Sequence, residues 1–269
     1  MKPVLVGAVL YDPKVSVIWE IIQEFFDASG CPIDTVFFTR YELQNDALLK
    51  GLVDVAWNSP LAWLDAQRRS NGGCRAIAMR DTDRDRVSHL VVRMDGPVDS
   101  VAGLRGRSVA VGASDSPQAT LIPLGLLERA GMRPGRDLDV RRHDVLVGKH
   151  GDHVGGERDA LACLERGEAD ACAMLDLNHD AWRADGTLDP ARYRILATTD
   201  PFDHCVFTVR EDFPAAAERP WLEVLFSMRY EDPRHRQMME MEGLKAWLPG
   251  RTTGFGQLSE AAERQGFWK

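Results

Sequence analysis

Cysteine is scarce and carries no recognisable spacing. The five cysteines, Cys31, Cys74, Cys163, Cys172 and Cys205, are odd in number and lie mostly inside apolar patterns, so they read as small core residues and exclude a disulfide-stapled scaffold. That usage favours a reducing compartment. Basic charge is in deficit: 33 Lys and Arg against 41 Asp and Glu leave a net charge of −8 and a pI near 5.4. This excludes the basic face that a nucleic-acid partner requires. The one Arg-rich run, Arg80 to Arg86, is interleaved with Asp81, Asp83 and Asp85 and reads as a solvated loop.

A long apolar run at the N-terminus is also missing. After Met1-Lys2-Pro3 only eight apolar or small residues precede Asp12 and Lys14, too few for a signal peptide or a membrane-spanning helix. No direct membrane insertion is expected. Location is therefore conditional: cytoplasmic if Met1 is the native start, periplasmic or otherwise extracytoplasmic if a leader has been removed. Nucleophile elbow, P-loop, dinucleotide fingerprint and zinc-protease motif are all absent, which argues against a standard hydrolase, kinase or dehydrogenase. Neither a cofactor nor a metal is expected.

What is present is a chain of 269 residues with 44% hydrophobic content, enough to bury a core in two domains of ordinary size. The most telling stretch runs from Ser108 to Thr120 and on to Gly131. Ser108 to Gly112 alternates as a buried strand does; Ser116 is a natural N-cap, Pro117 suits a first helical turn, and Gly131 closes the helix. A strand thus delivers the chain to a helix start carrying Ser114, Ser116, Gln118 and Thr120, where unpaired N–H groups and the helix dipole can receive an anion. The device recurs upstream. Val53 to Trp57 runs into Asn58-Ser59-Pro60, a second Ser-Pro helix start, and the two are expected to face each other across a ligand cleft.

The remaining pattern alternates strands with helices, hence βα units and a mainly parallel sheet. Val4 to Leu10 ends in Tyr11-Asp12-Pro13, an aromatic hydroxyl at a strand's C-terminal end, where ligands bind in open α/β sheets. Thr35 to Phe38 leads into Thr39-Arg40-Tyr41 and a helix. Strands follow at Ala76 to Met79, Ser88 to Arg93, Leu138 to Arg142, Ala169 to Leu175, Tyr193 to Thr199 and Asp203 to Arg210. The predicted lobes are residues 1–93 with 200–269, and residues 94–199. Two strands, Ser88 to Arg93 and Asp203 to Arg210, cross between them, and the C-terminal helices return to the first lobe.

In this order the chain resembles the substrate-binding proteins of phosphonate, phosphite and phosphate ABC importers, within the bilobal type II periplasmic-binding-protein superfamily. Four passages carry the resemblance: Thr39-Arg40-Tyr41 with Gly51 to Trp57; Ser59-Pro60-Leu61-Ala62; Leu104 to Ala110 leading to Asp115-Ser116 and Leu121-Ile122-Pro123; and Ala160-Leu161 with Arg166 to Ala171. The resemblance implies a two-lobed α/β fold with a ligand cleft and two crossover strands. It also implies a small anionic ligand held by Tyr11, Tyr41, Ser59, Ser116 and Gln118, with Asn58, Ser114 and Thr120 on the same turns, and ABC-transporter membrane subunits as partners. Pro117 replaces a hydroxyl-bearing position and lacks an N–H, so a carboxylate or amide-bearing ligand suits Gln118 better than a phosphonate.

The loop from His143 to Glu157 departs most from those relatives. His150 and His153 are three apart, a spacing that can bring two imidazoles to one side of a turn, although the flanking Gly148 and Gly156 make the segment a loop. Because loops of that superfamily face the cleft, the resemblance implies that these histidines are ligand-facing, where imidazole changes charge near neutral pH; a surface loop and a metal site are the alternatives. An alternative function stays open: an enzyme on the same fold, similar to cytosolic dehydratases and decarboxylases acting on small organic acids, with His150, His153, Asp176 or His204 as proton-transfer groups. A cytosolic ligand sensor is a third reading.

Overall fold

The computed structural model describes residues 2–268. In chain order it forms β1 (Val4–Val9), α1 (Lys14–Ala28), β2 (Ile33–Phe38), α2 (Tyr41–Leu49), β3 (Val55–Asn58), α3 (Pro60–Arg69) and β4 (Cys74–Arg80). There follow β5 (Ser88–Arg93), β6 (Ser108–Val111), α4 (Ile122–Arg129), β7 (Asp139–Arg142), α5 (Gly155–Glu165), β8 (Ala171–Leu175), α6 (Asp176–Ala184) and β9 (Tyr193–Thr198). The chain ends with β10 (Val206–Arg210), α7 (Ala215–Ser227), α8 (Pro233–Glu242), β11 (Trp247–Pro249) and α9 (Gly256–Arg264).

These elements form two compact units. Unit one is Met1–Arg84 with Asp203–Phe255; unit two is Asp85–Phe202 with Gly256–Lys269. Each has its own sheet, β11-β4-β10-β3-β1-β2 in unit one and β7-β6-β8-β5-β9 in unit two. The α/β, two-lobed class expected from the βα alternation is what the sheets show. Both sheets are mixed rather than mainly parallel: β10 runs antiparallel between β3 and β4, and β5 runs antiparallel between β8 and β9. In each case the odd strand arrives after the chain has come from the other unit.

Unit one is organised by α1, whose Val15, Ile18, Trp19, Ile22 and Phe26 recur at helical spacing and are all buried. They join Trp57, Phe207, Trp221 and Trp247 in one core. Trp57 and Phe207 have ring centroids 4.6 Å apart, and Phe207 meets Trp221 edge-on at 5.0 Å, the offset geometries that aromatic quadrupoles favour. Unit two has an apolar layer on each side of its sheet. Leu90, Val109, Val111, Leu124 and Leu127 share one cluster, while Val91, Ala110, Leu161, Leu164 and Trp182 share another.

The boundaries differ from those expected. Ser88–Arg93 is an internal strand of the second sheet, because Val92 and Leu90 pair with β8 on one side and β9 on the other. The chain passes between units at 84/85 and 202/203, and a third time at 255/256. The last passage puts α9 with unit two, where the tail from Gly243 onward was expected to stay with the first lobe. Its reason is a small-residue contact: a Cβ placed on Gly125 of α4 would lie 3.0 Å from the Ala261 methyl, so the two helices approach closely. Gln265 Nε2 also donates to the Leu121 carbonyl (2.9 Å).

Candidate functional site

In unit one the expected residues gather at the C-terminal ends of β1, β2 and β3. Asn58 and Ser59 are completely buried. Ser59 is the N-cap of α3, its hydroxyl accepting from Ala62 N (3.1 Å) with Pro60 next in line, so one orphan donor of that turn is satisfied by the cap and Pro60 removes another. Asn58 belongs to a buried amide network. Gln44 Nε2 donates to Asn58 Oδ1 (2.8 Å) and to the Trp57 carbonyl (2.8 Å), and Asn58 Nδ2 donates to Asn45 Oδ1 (3.1 Å). Asn45 Nδ2 then donates to the Ala62 carbonyl (2.8 Å). Tyr41 opens α2 and is buried against Val9 and Ala62. Tyr11 is half-buried against the main core of the unit. Sequence reasoning missed Gln44 and Asn45, because two amides on a helix read as surface; the signal was their place one turn after Tyr41.

In unit two the decisive turn follows β6. Ser116 caps the helix, its hydroxyl accepting from Ala119 N (3.1 Å), and its carbonyl accepts from both Thr120 N (3.2 Å) and Leu121 N (3.0 Å). The first turn, Pro117–Leu121, is accordingly widened to π geometry before α4 begins. Gly112 permits this approach, since a Cβ there would lie 2.7 Å from the Ala119 methyl. Thr120 Oγ1 is buried and, among the described residues, has no hydrogen-bond partner.

The loop after β7 lies over this turn. Asp115 is 5% exposed, and its Oδ2 accepts from Gly148 N (2.5 Å) and His150 N (3.3 Å). Gln118 Nε2 donates to the Gly151 carbonyl (2.8 Å), and Ser114 N donates to Asp144 Oδ1 (2.7 Å). His150 is buried in a left-handed conformation, φ 50°, and so joins Ser114, Ser116 and Gln118 in one place. His153 does not join them in the same way: its Nδ1 accepts from Gly155 N (3.0 Å). The amide of Gln118 was expected to await a ligand; it is engaged by the chain's own carbonyl. Asp115 itself was not singled out as a contact, although it sits between the two serines that were.

The remaining proton-transfer candidates are Asp176 in unit two and His204 in unit one. Asp176 starts α6 and pairs with Arg86 (3.4 Å). His204 belongs to unit one, with Nδ1 3.1 Å from Cys205 Sγ and 3.6 Å from Asp83 Oδ1. Asp83, His204 and Cys205 bring three possible metal donors within 4.8 Å of one another. Arg80, however, already donates to both Asp83 oxygens, Nε to Oδ2 at 2.7 Å and NH2 to Oδ1 at 2.8 Å, and also reaches Glu242 (2.8 Å). Burial works to raise the Asp83 carboxyl, but the Arg80 guanidinium, aided by His204, brings it down to about 2. This is an internal ion-pair core with its positive charge built in.

A family model described as the periplasmic substrate-binding protein of a phosphonate ABC transporter matches residues 16–253. The chain belongs to that family. Among solved structures, this phosphonate-binding family member is similar to PhnD1 from Prochlorococcus marinus in complex with methylphosphonate, with 15% identity, TM-score 0.71 and 98% of both chains covered. It is also similar to XAC2383 from Xanthomonas citri bound to chloride ion, with 20% identity, TM-score 0.73 and 100% of both chains covered. A third likeness is to the periplasmic aliphatic sulphonate binding protein SsuA from Escherichia coli, with 14% identity, TM-score 0.63 and 99% and 88% covered. A short stretch of 29 residues is 52% identical to an uncharacterized protein of Haemophilus influenzae, covering 11% of this chain and 41% of that protein. The family gives this chain its function as the substrate-binding receptor of an ABC transporter. The enzyme alternative receives no support from any of these relationships. No helix among the described residues is long and apolar enough to cross a membrane.

Proposed function

We propose that this receptor takes a compact oxyanion of the phosphonate class, contacted by Ser114, Ser116, Gln118 and Thr120 of unit two and by Tyr11, Tyr41, Asn58 and Ser59 of unit one. The observation that supports this reading best is the turn after β6, where a capping serine and an unpartnered threonine hydroxyl are buried at the start of a helix. A buried hydroxyl without a partner costs stability unless something accepts or donates to it, and a helix start favours negative charge. The family to which the chain belongs acts in the periplasm and delivers to a transporter, so membrane subunits of an ABC importer are the proposed partners and the periplasm the proposed location. PhnD1, similar in fold, is described in complex with methylphosphonate, which makes that compound the first probe. Titration calorimetry with methylphosphonate, inorganic phosphate and methanesulfonate tests the proposal. Saturable binding of at least one, weakened in Ser116→Ala, is expected; no heat from any of them would refute it.

A further inference from the structure

We propose that His89 and His179 of unit two form a binding site for one divalent transition-metal ion of the zinc and copper class, held by their two Nε2 atoms. The site stands apart from the oxyanion reading above, and its histidines belong to neither capped helix start.

Two imidazoles occupy positions where the fold asks for apolar side chains. β5 is an internal strand of the second sheet, and His89 stands in register with Met174 of β8 and Thr198 of β9. His89 and Val91 are two apart and so share one face of the strand. α6 covers that face: it follows β8 without a loop, and its buried residues are His179 and Trp182. Trp182 shares an apolar cluster with Val91. His179, three residues earlier on the same side of the helix, meets His89 with ring centroids 4.9 Å apart and planes inclined at 66°. Burying polar rings without a use for them is unfavourable, so packing alone does not account for the pair.

Both rings are anchored through the same nitrogen. His89 Nδ1 bonds Thr198 Oγ1 (3.0 Å), and His179 Nδ1 bonds Asp180 Oδ1 (3.0 Å). Neither ring makes another hydrogen bond among the described residues. An ionised carboxylate only accepts, so in neutral His179 the proton sits on Nδ1 and the lone pair on Nε2. The same tautomer of His89 donates to the threonine oxygen. Metal-ligating histidines are held in this way, their outer nitrogen oriented by an oxygen. The spacing fits as well: two imidazoles on one tetrahedral ion, each bonded at about 2.0–2.1 Å, have ring centres about 5 Å apart.

The donors select the ion. Imidazole nitrogen suits Zn²⁺, Cu²⁺ and Ni²⁺, whereas Mg²⁺ and Ca²⁺ take oxygen ligands. Negative charge stands close by in Asp180 and in Asp176, one turn before His179; Asp176 pairs with Arg86 (3.4 Å) and its Oδ1 accepts from Leu177 N (2.9 Å). His89 is partly exposed while His179 is 6% exposed, so the ion enters from the β5 side and the remaining coordination positions face solvent.

The test is titration calorimetry of the intact, chelator-stripped protein with Zn²⁺, and with Mg²⁺ as control. Wild type is expected to take up one Zn²⁺ per chain in its tightest site and no Mg²⁺. His89→Gln and His179→Gln should each weaken that site by at least about tenfold, and Asp180→Ala by about tenfold, the loss usual when an outer partner of a ligating histidine is removed. His235→Gln, in unit one, should leave it unchanged. No Zn²⁺ binding in wild type, or binding indifferent to both His89→Gln and His179→Gln, would overturn the inference. Should His179→Gln not fold, wild type decides: substoichiometric Cu²⁺ should broaden the nuclear magnetic resonance signals of His89, His179 and Thr198 first, and its electron paramagnetic resonance spectrum should show splitting from two imidazole nitrogens. Broadening that begins at His150, His153 or His204 instead would equally overturn it.

Discussion

Gly151 lies so close to Ser116 that a methyl group on its α-carbon would sit 2.2 Å from the serine oxygen, and its φ of +76° belongs to the left-handed region. Loop and helix start are thus fitted to one another through a missing side chain. Gly151→Ala is expected to cost about 1–2 kcal/mol for the left-handed backbone alone. The clash should also lift the loop from the turn. Hydrogen exchange would read this directly, with faster exchange at the Gly148 and His150 amides; unchanged protection there would mean that the loop tolerates the methyl by a local shift.

Both capped helix starts can be compared in one experiment. Ser59→Ala and Ser116→Ala each remove a cap, for a loss of about 1 kcal/mol of stability. Ser116→Ala should in addition weaken methylphosphonate by about 1–2 kcal/mol, since a charged acceptor loses a donor. Denaturant unfolding separates the first effect from the second, which calorimetry measures. Full affinity in a stably folded Ser116→Ala protein would mean that this serine only caps its helix.

Acid should unfold the protein partly through Asp83. Its carboxyl stands at about 2 in the folded chain, below the ordinary value of about 3.9. A lowered folded value contributes stability above the unfolded value and loses it as pH falls toward the folded one, an effect of about 2 kcal/mol between roughly pH 4 and pH 2. Asp83→Asn removes that titration. Its stability is expected to be lower at neutral pH, because Arg80 keeps only Glu242 of its two carboxylate partners on a buried site, and to fall less steeply through the same acid range. Urea midpoints at several pH values check both the level and the slope.

The docking of α9 on α4 offers a packing test. With Ala261 already 3.0 Å from where a Gly125 Cβ would be, Ala261→Leu should destabilise by about 1–3 kcal/mol through overpacking. The exposed Glu263 on the same helix is the control, and Glu263→Ala should fall within about 0.5 kcal/mol of wild type. Thermal melting distinguishes the two. Equal melting temperatures would argue that α9 does not hold this register.

What the sequence made legible, and what it did not, follows from the range of the interactions. Strands and helices are local, so Val4–Val9, Ser88–Arg93 and the two Ser-Pro starts emerged from alternation and capping residues alone. The placement of β5 did not, because the pairing of Leu90 with Ala173 and Ala197 joins residues far apart in sequence. Gln44 and Asn45 were hidden for the opposite reason. Their polarity suggests solvent, and it is the Asn58 amide with the Trp57 and Ala62 carbonyls, across the helix–strand contact, that makes them core residues. The His143–Val154 loop was legible as an anomaly but not as a cover for the Ser116 turn, since its contacts run mainly through backbone N–H and C=O groups, which carry no sequence signature.

The threefold passage of the chain also orders events during synthesis. β10 is the strand that joins β3 to β4, so the sheet of unit one remains split while the ribosome makes residues 85 to 205. The sheet of unit two has every strand once Thr198 has emerged. The half that begins later in sequence can therefore complete its sheet first, reversing the usual N-terminal-first order. Until Val206–Arg210 arrives, β3 and β4 offer unpaired edges, the state in which a nascent chain is most exposed to aggregation and most in need of a chaperone.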